Sequence, residues 1–174
     1  MLDEASPQPA PTFRTLVHRL AAALARQVSP GDLAALRRLS PDDLTAPAFW
    51  KLAASMLSDE LSSGEQRFEL EGRWAVILSA LAITAGMHDA RRPFGAALAE
   101  AGYSELRFTR LLRAHGDALP SEVRSAARFL SSKAIPFDPA DLAQLVLSDG
   151  APHEESIRRA TARHYFRQAS LADR

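Results

Sequence analysis

Apolar residues in this chain recur every three or four positions, and nowhere do they alternate strictly with polar ones over the length of a strand. The first spacing lays a stripe along a helix; the second is what a half-buried strand would need. An all-α fold follows, and start and stop residues divide it into about eight to nine helices. A helix rich in Ala and Leu occupies 12–28. Ser29-Pro30 sets a capping hydroxyl before a proline at the first helical position and opens a short helix to Leu39. Pro47 opens the helix bearing Phe49, Trp50, Leu52 and Met56. After a Ser62-Ser63-Gly64 loop, the helix over 65–85 is apolar nearly all round in its second half, as the centre of a bundle would be. Shorter helices follow over 93–101, 105–114, 121–133, 140–147 and 154–169, separated by Gly102, Gly116-Asp117 and the 136–139 turn. The expected organisation is a two-lobed helical bundle: a disordered leader at 1–11, an N-terminal lobe at 12–90 and a C-terminal lobe at 91–174, joined by an exposed connection at 88–92.

Residue types exclude most chemistry. With no cysteine there is no disulfide framework, thiol nucleophile or cysteine-ligated zinc. His18, His88, His115, His153 and His164 lack metal-ligand spacing. His115 and Asp117 read as cap and turn residues at a helix end. Glu65, Glu69 and Glu71 fall on the first turns of the long helix, where the macrodipole favours carboxylates. The glycines sit at helix ends and in loops, and none builds a phosphate-cradling loop. Neither an enzyme, a metal nor a cofactor is expected. No apolar run approaches the length of a membrane span. Asp3 and Glu4 stand where a secretory signal would be basic, so a cytoplasmic location is the expectation.

Charge supplies the positive evidence. The net charge is zero, but it is segregated along the chain. Residues 1–90 carry a net −3, 91–133 a net +4, 134–155 a net −5 and 156–174 a net +4. Nineteen of the 21 basic residues are Arg, whose planar fork can hold two phosphate oxygens at once. On the 105–114 helix, Arg107, Arg110 and Arg113 lie opposite the arc of Phe108, Leu111 and Leu112. Arg38 opposes Leu33, Leu36 and Leu39, with Arg37 on the flank. Arg124 and Arg128 are one turn apart, and Arg159, Arg163 and Arg167 form an i, i+4, i+8 ladder. Such faces suit backbone phosphates rather than base reading, because no recognition-helix polar set or zinc finger accompanies them. For base stacking only Tyr103 and Tyr165 are candidates, and both also suit a core. Two other readings stay open. One is a protein-interaction scaffold whose arginines pair with acids. The other is a helix-turn-helix regulator, for which the 115–120 turn is too long.

The order of motifs resembles the small subunit of type I-E CRISPR surveillance complexes, the CasB family. The matching residues are Asp32-Leu33-Ala34-Ala35-Leu36-Arg37-Arg38-Leu39, then Pro47-Ala48-Phe49-Trp50-Lys51-Leu52 and the apolar helix around 74–85. Phe94-Gly95-Ala96-Ala97-Leu98 and Arg107-Phe108-Thr109-Arg110-Leu111-Leu112-Arg113-Ala114 follow. The resemblance covers roughly residues 13–168. It implies a two-lobed, non-catalytic subunit of Cascade that holds opened DNA and stabilises the R-loop in antiviral defence. Its implied partners are the repeated backbone subunit, the large subunit, the guide RNA complex, the target DNA strands and a second copy of itself, head to tail. By position it marks Arg37, Arg38, Arg107 and Arg113 as DNA contacts. Helix geometry alone adds Arg110, Arg124, Arg128 and Lys133.

Overall fold

A computed structural model describes residues 12–61, 64 and 66–172. The expected leader at 1–11, with Ser62, Ser63 and Glu65, lies outside the described residues. Among those described, nine α-helices and one short 3₁₀ turn make up the fold, with two isolated bridges and no strand. They are α1 (Phe13–Arg26), α2 (Pro30–Leu36), α3 (Pro47–Met56), α4 (Arg67–Ile83), α5 (Phe94–Glu100), α6 (Glu105–Arg113), α7 (Leu119–Lys133), α8 (Pro139–Leu147) and α9 (Glu154–Ala172). The 3₁₀ turn, Gly116–Ala118, joins α6 to α7. The all-α expectation holds.

Side-chain caps start four of the helices. Ser29 Oγ accepts from the Asp32 N–H at 3.1 Å and Ser104 Oγ from the Arg107 N–H at 3.4 Å. Thr12 and Asp138 do the same for α1 and α8. Each satisfies a backbone donor that the first turn leaves without a partner. The long helix stops before Gly86, which takes a φ of +83° that a side chain would resist.

In α4 every residue from 74 to 82 is buried, and this helix packs against α1, α2, α7 and α8. Around it a continuous core extends from Leu16 to Tyr165, and α1 and α4 lean on α8 across the expected lobe boundary at residue 90. The α5–α9 pair is the closest packed. Gly95 makes that approach possible, because a Cβ there would run into the carbonyl oxygen of Thr161.

Two local expectations need correction. First, α2 ends at Leu36 rather than Leu39. Arg38 and Leu39 N–H instead bond back three residues, to Ala35 and Leu36, at 3.1 Å each. The tightened turn buries Leu39 against the core, leaves Arg37 as C-cap and puts Arg38 beyond the helix. Second, the 88–92 connection is not a free loop, although Ala90 and Arg91 are exposed. The Phe137 N–H donates to Met87, the Asp89 N–H to Phe137, and the Asp138 N–H to Arg92 at 2.7 Å. This seam needs a partner 45 to 50 residues away in sequence, so no local pattern announces it.

Candidate nucleic-acid interface

The eight basic residues of the expected interface sit on the end of α2, on α6 and on α7. Arg37 and Arg38 are exposed, yet each uses its Nε internally. Arg37 Nε donates to the Ala82 carbonyl of α4 at 3.0 Å, and Arg38 Nε to the Ala34 carbonyl at 3.2 Å. Both leave the rest of the guanidinium at the surface. Arg124 is half-buried, and its guanidinium donates to the carbonyl of Leu39, the residue after Arg38. Burial, and then the neighbouring charge of Arg128, push the Arg124 pKa down. Arg124 is therefore a strut that ties α7 to the end of α2, with less of its charge offered to a ligand than the sequence suggested.

Arg128, one turn further along α7, shares a shallow concavity of about 430 Å³ with Arg107 and Arg110 of α6. Arg107 and Lys133 lie on the same Phe129 ring, each 5.8 Å from its centroid, a spacing at which the ring attracts both cations. Arg110 is ion-paired with Glu122 of α7 at 2.7 Å while keeping 64% of its side chain exposed. Arg113 is exposed at the end of α6, outside the lining of the concavity. The positions thus link one to the next: Arg38 to Arg124 through Leu39, Arg124 to Arg128 along one helix face, Arg128 to Arg107 and Arg110 around the concavity, and Lys133 to Arg107 through the Phe129 ring. Three of the four charged faces read separately from the sequence are neighbours, across α6, α7 and the end of α2.

The aromatic candidates are not surface platforms. Tyr103 is 1% and Tyr165 5% exposed. Tyr165 stacks on Phe108 at 3.8 Å and donates its hydroxyl to the Tyr103 carbonyl at 2.6 Å. Among the described residues, the large apolar side chains that do reach the surface are Trp50, Phe68, Leu106, Phe166 and Leu171. On α9, Arg163 and Arg167 are exposed, and Arg159 pairs with Glu155 at 2.7 Å.

One polar cluster escaped the sequence reading. His115 does not pair with Asp117; its Nδ1 lies 2.9 Å from Asp149 and 3.0 Å from Glu154. These three could ligate a metal by spacing, but Arg158 already occupies the cluster, 3.1 Å from Asp149 and 2.6 Å from Glu154. A guanidinium there does what a cation would, and the cluster reads as a structural ion-pair network. Although burial works against its charge, the Gly116 N–H, His115 and Arg158 together hold Asp149 below the ordinary carboxylate range. The Glu69 and Glu71 carboxylates likewise pair with Arg73 and Arg67 one turn away on α4.

Comparison with known proteins now bears on this surface. The family described as CRISPR-associated protein Cse2 matches residues 32–166. The chain belongs to the Cse2 family. Two solved structures share its fold. The crystal structure of CasB from Thermobifida fusca is 22% identical with a TM-score of 0.67, over 88% of this chain and 94% of that one. The CasB of M. ruber is 20% identical with a TM-score of 0.68, over 93% of this chain and 97% of that one. No curated protein matches the chain in sequence. The resemblance to the small subunit of type I-E Cascade is borne out at the level of family and fold, and the chain is a Cascade subunit of CRISPR defence, with other Cascade subunits as its partners. No helix among the described residues is long and apolar enough to cross a membrane.

Proposed function

We propose that this Cse2-family chain is a non-catalytic, cytoplasmic subunit that binds DNA backbone through the basic surface of α6, α7 and the end of α2, and so stabilises the R-loop. The observation that carries the reading is the linkage of Arg38, Arg124, Arg128, Arg107, Arg110 and Lys133 into neighbouring positions, built from cations that lie far apart in sequence. Exchange of a DNA duplex for an RNA–DNA hybrid is nearly balanced in energy, so a few backbone contacts suffice to tip it. Arg113 extends the surface past the concavity. In this reading the chain packs beside the repeated backbone subunit and the large subunit around the guide RNA, with a second copy head to tail, and its acidic stretch at 134–155 faces protein.

A scaffold without nucleic-acid contact is the second reading. It is favoured by the internal pairings of Arg110 with Glu122 and Arg159 with Glu155. Binding of single-stranded and duplex DNA by the purified chain, measured against salt, separates the two. Backbone binding gives a linear fall of log affinity with log salt, about 0.7 for each single-strand phosphate neutralised. Absence of binding at low salt would favour the scaffold.

A further inference from the structure

We propose that the concavity between α6 and α7 seats a single backbone phosphate, and that Glu122 is a built-in competitor that holds Arg110 until the phosphate arrives. This rests on the reading that the chain binds nucleic-acid backbone, and it adds where one phosphate sits and what keeps its affinity low. Three guanidiniums, Arg107, Arg110 and Arg128, and one carboxylate, Glu122, share the rim. A phosphodiester brings one negative charge to a site that is net positive even with Glu122 ionised. Glu122 is held close, its side chain 15% exposed and its Oε1 2.7 Å from Arg110. Arg110 itself is mostly exposed and free to swing. Arg107 is steadied by the Phe129 face.

Tyr103 also lines the concavity, and its hydroxyl is buried and has no hydrogen-bond partner. A buried donor left in that state costs free energy, and an acceptor oxygen reaching it recovers that cost. Burial raises the phenol pKa, Ser125 beside it lowers it, and Glu122, Arg107 and Arg110 are near enough to act on it. Tyr103 lines the same concavity as the charged cluster, and its phenol stays protonated as a donor at neutral pH. Once Arg110 swings from Glu122, a phosphate oxygen held by the guanidinium forks would meet the phenol as well, a pairing suited to charge-assisted hydrogen bonds. Glu122 opposes this by like charge and by occupying Arg110, so the seat is filled only when a backbone is delivered to it.

Fluorescence anisotropy of a short oligothymidylate with the full chain at low salt tests the proposal. Glu122→Gln should tighten binding about fivefold. Glu155→Gln alters net charge equally at an exposed residue on α9 and should leave affinity unchanged. Tyr103→Phe removes one oxygen that has no partner in the fold, so circular dichroism should be unchanged while binding weakens roughly fivefold. The Glu122→Gln gain should vanish when Arg128→Ala is added. Equal gains from Glu122→Gln and Glu155→Gln, or unaltered binding by folded Tyr103→Phe, would overturn the seat while leaving backbone binding intact. Loss of the wild-type interaction altogether, with Glu122→Gln also silent, would overturn both.

Discussion

Arg158 is buried, with its guanidinium donating to the Leu112 and Ala114 carbonyls at 2.5 and 2.9 Å and paired with Asp149 and Glu154. Those carbonyls belong to the end of α6, where helical acceptors lack partners. Removing the guanidinium orphans them and leaves two carboxylates without their counter-charge. Arg158→Met should cost about 3 kcal/mol, read as a fall in melting temperature of roughly 10 °C. A change within a degree or two would mean the network contributes little. His88 gives a pH test. Burial, and then the charge of nearby His18, depress its pKa from 6.5 to about 4. Between those values the unfolded chain binds the proton and the folded chain does not. Stability should be full above 6.5, decline as pH falls towards 4, and level off below it, by at most about 3 kcal/mol. Chemical denaturation from pH 7 to 4 checks this, and His88→Asn should flatten that window. None of this was legible in the sequence: Arg158 sits beside the Arg159 ladder and looks no different from it, and His115 finds Asp149 34 residues on.

Helices were the most legible level. Caps and prolines act within one turn, so Ser29-Pro30 and Pro47 mark their helix starts without knowledge of the fold. Helix ends were less legible. Leu39 is buried in the core just past the end of α2, and burial is set by the fold rather than by neighbours in sequence. Crossings were not legible at all. Gly95 reads as a mild helix weakener, yet it allows α5 to touch the α9 backbone at Thr161. Gly95→Ala raises intrinsic helix propensity but must push the two helices apart, and overpacking of this kind costs about 1–3 kcal/mol. Thermal unfolding of that variant should show a loss, and a gain in stability would mean that α5 and α9 do not approach as closely as described.

The whole molecule is neutral, and the proposed function depends on how that neutrality is partitioned. Charge blocks along the chain pointed to a basic face, but a block in sequence is not a patch in space. Folding joins Arg107, Arg110 and Arg128 around one concavity, spends Arg124 on a strut, and leaves the Arg159 ladder on a different helix from that concavity. The family was legible because its motifs follow one another along the chain. The linkage of the cations was not, since it runs through the Arg124 contact with Leu39, 85 residues away.

The central claim is that this surface holds opened DNA. It is tested most directly by the lifetime of R-loops formed by the reconstituted complex on supercoiled DNA. Chain with Arg107→Ala, Arg110→Ala and Arg113→Ala together is compared with wild type at several salt concentrations. These side chains are exposed, so folding and incorporation should be unchanged. The account predicts shorter-lived R-loops and a salt dependence shallower by about 1.4 in log–log slope, from two lost single-strand phosphates, the one seated in the concavity and one at Arg113. R-loops of wild-type lifetime and wild-type salt dependence, with the triple variant folded and incorporated, would contradict it.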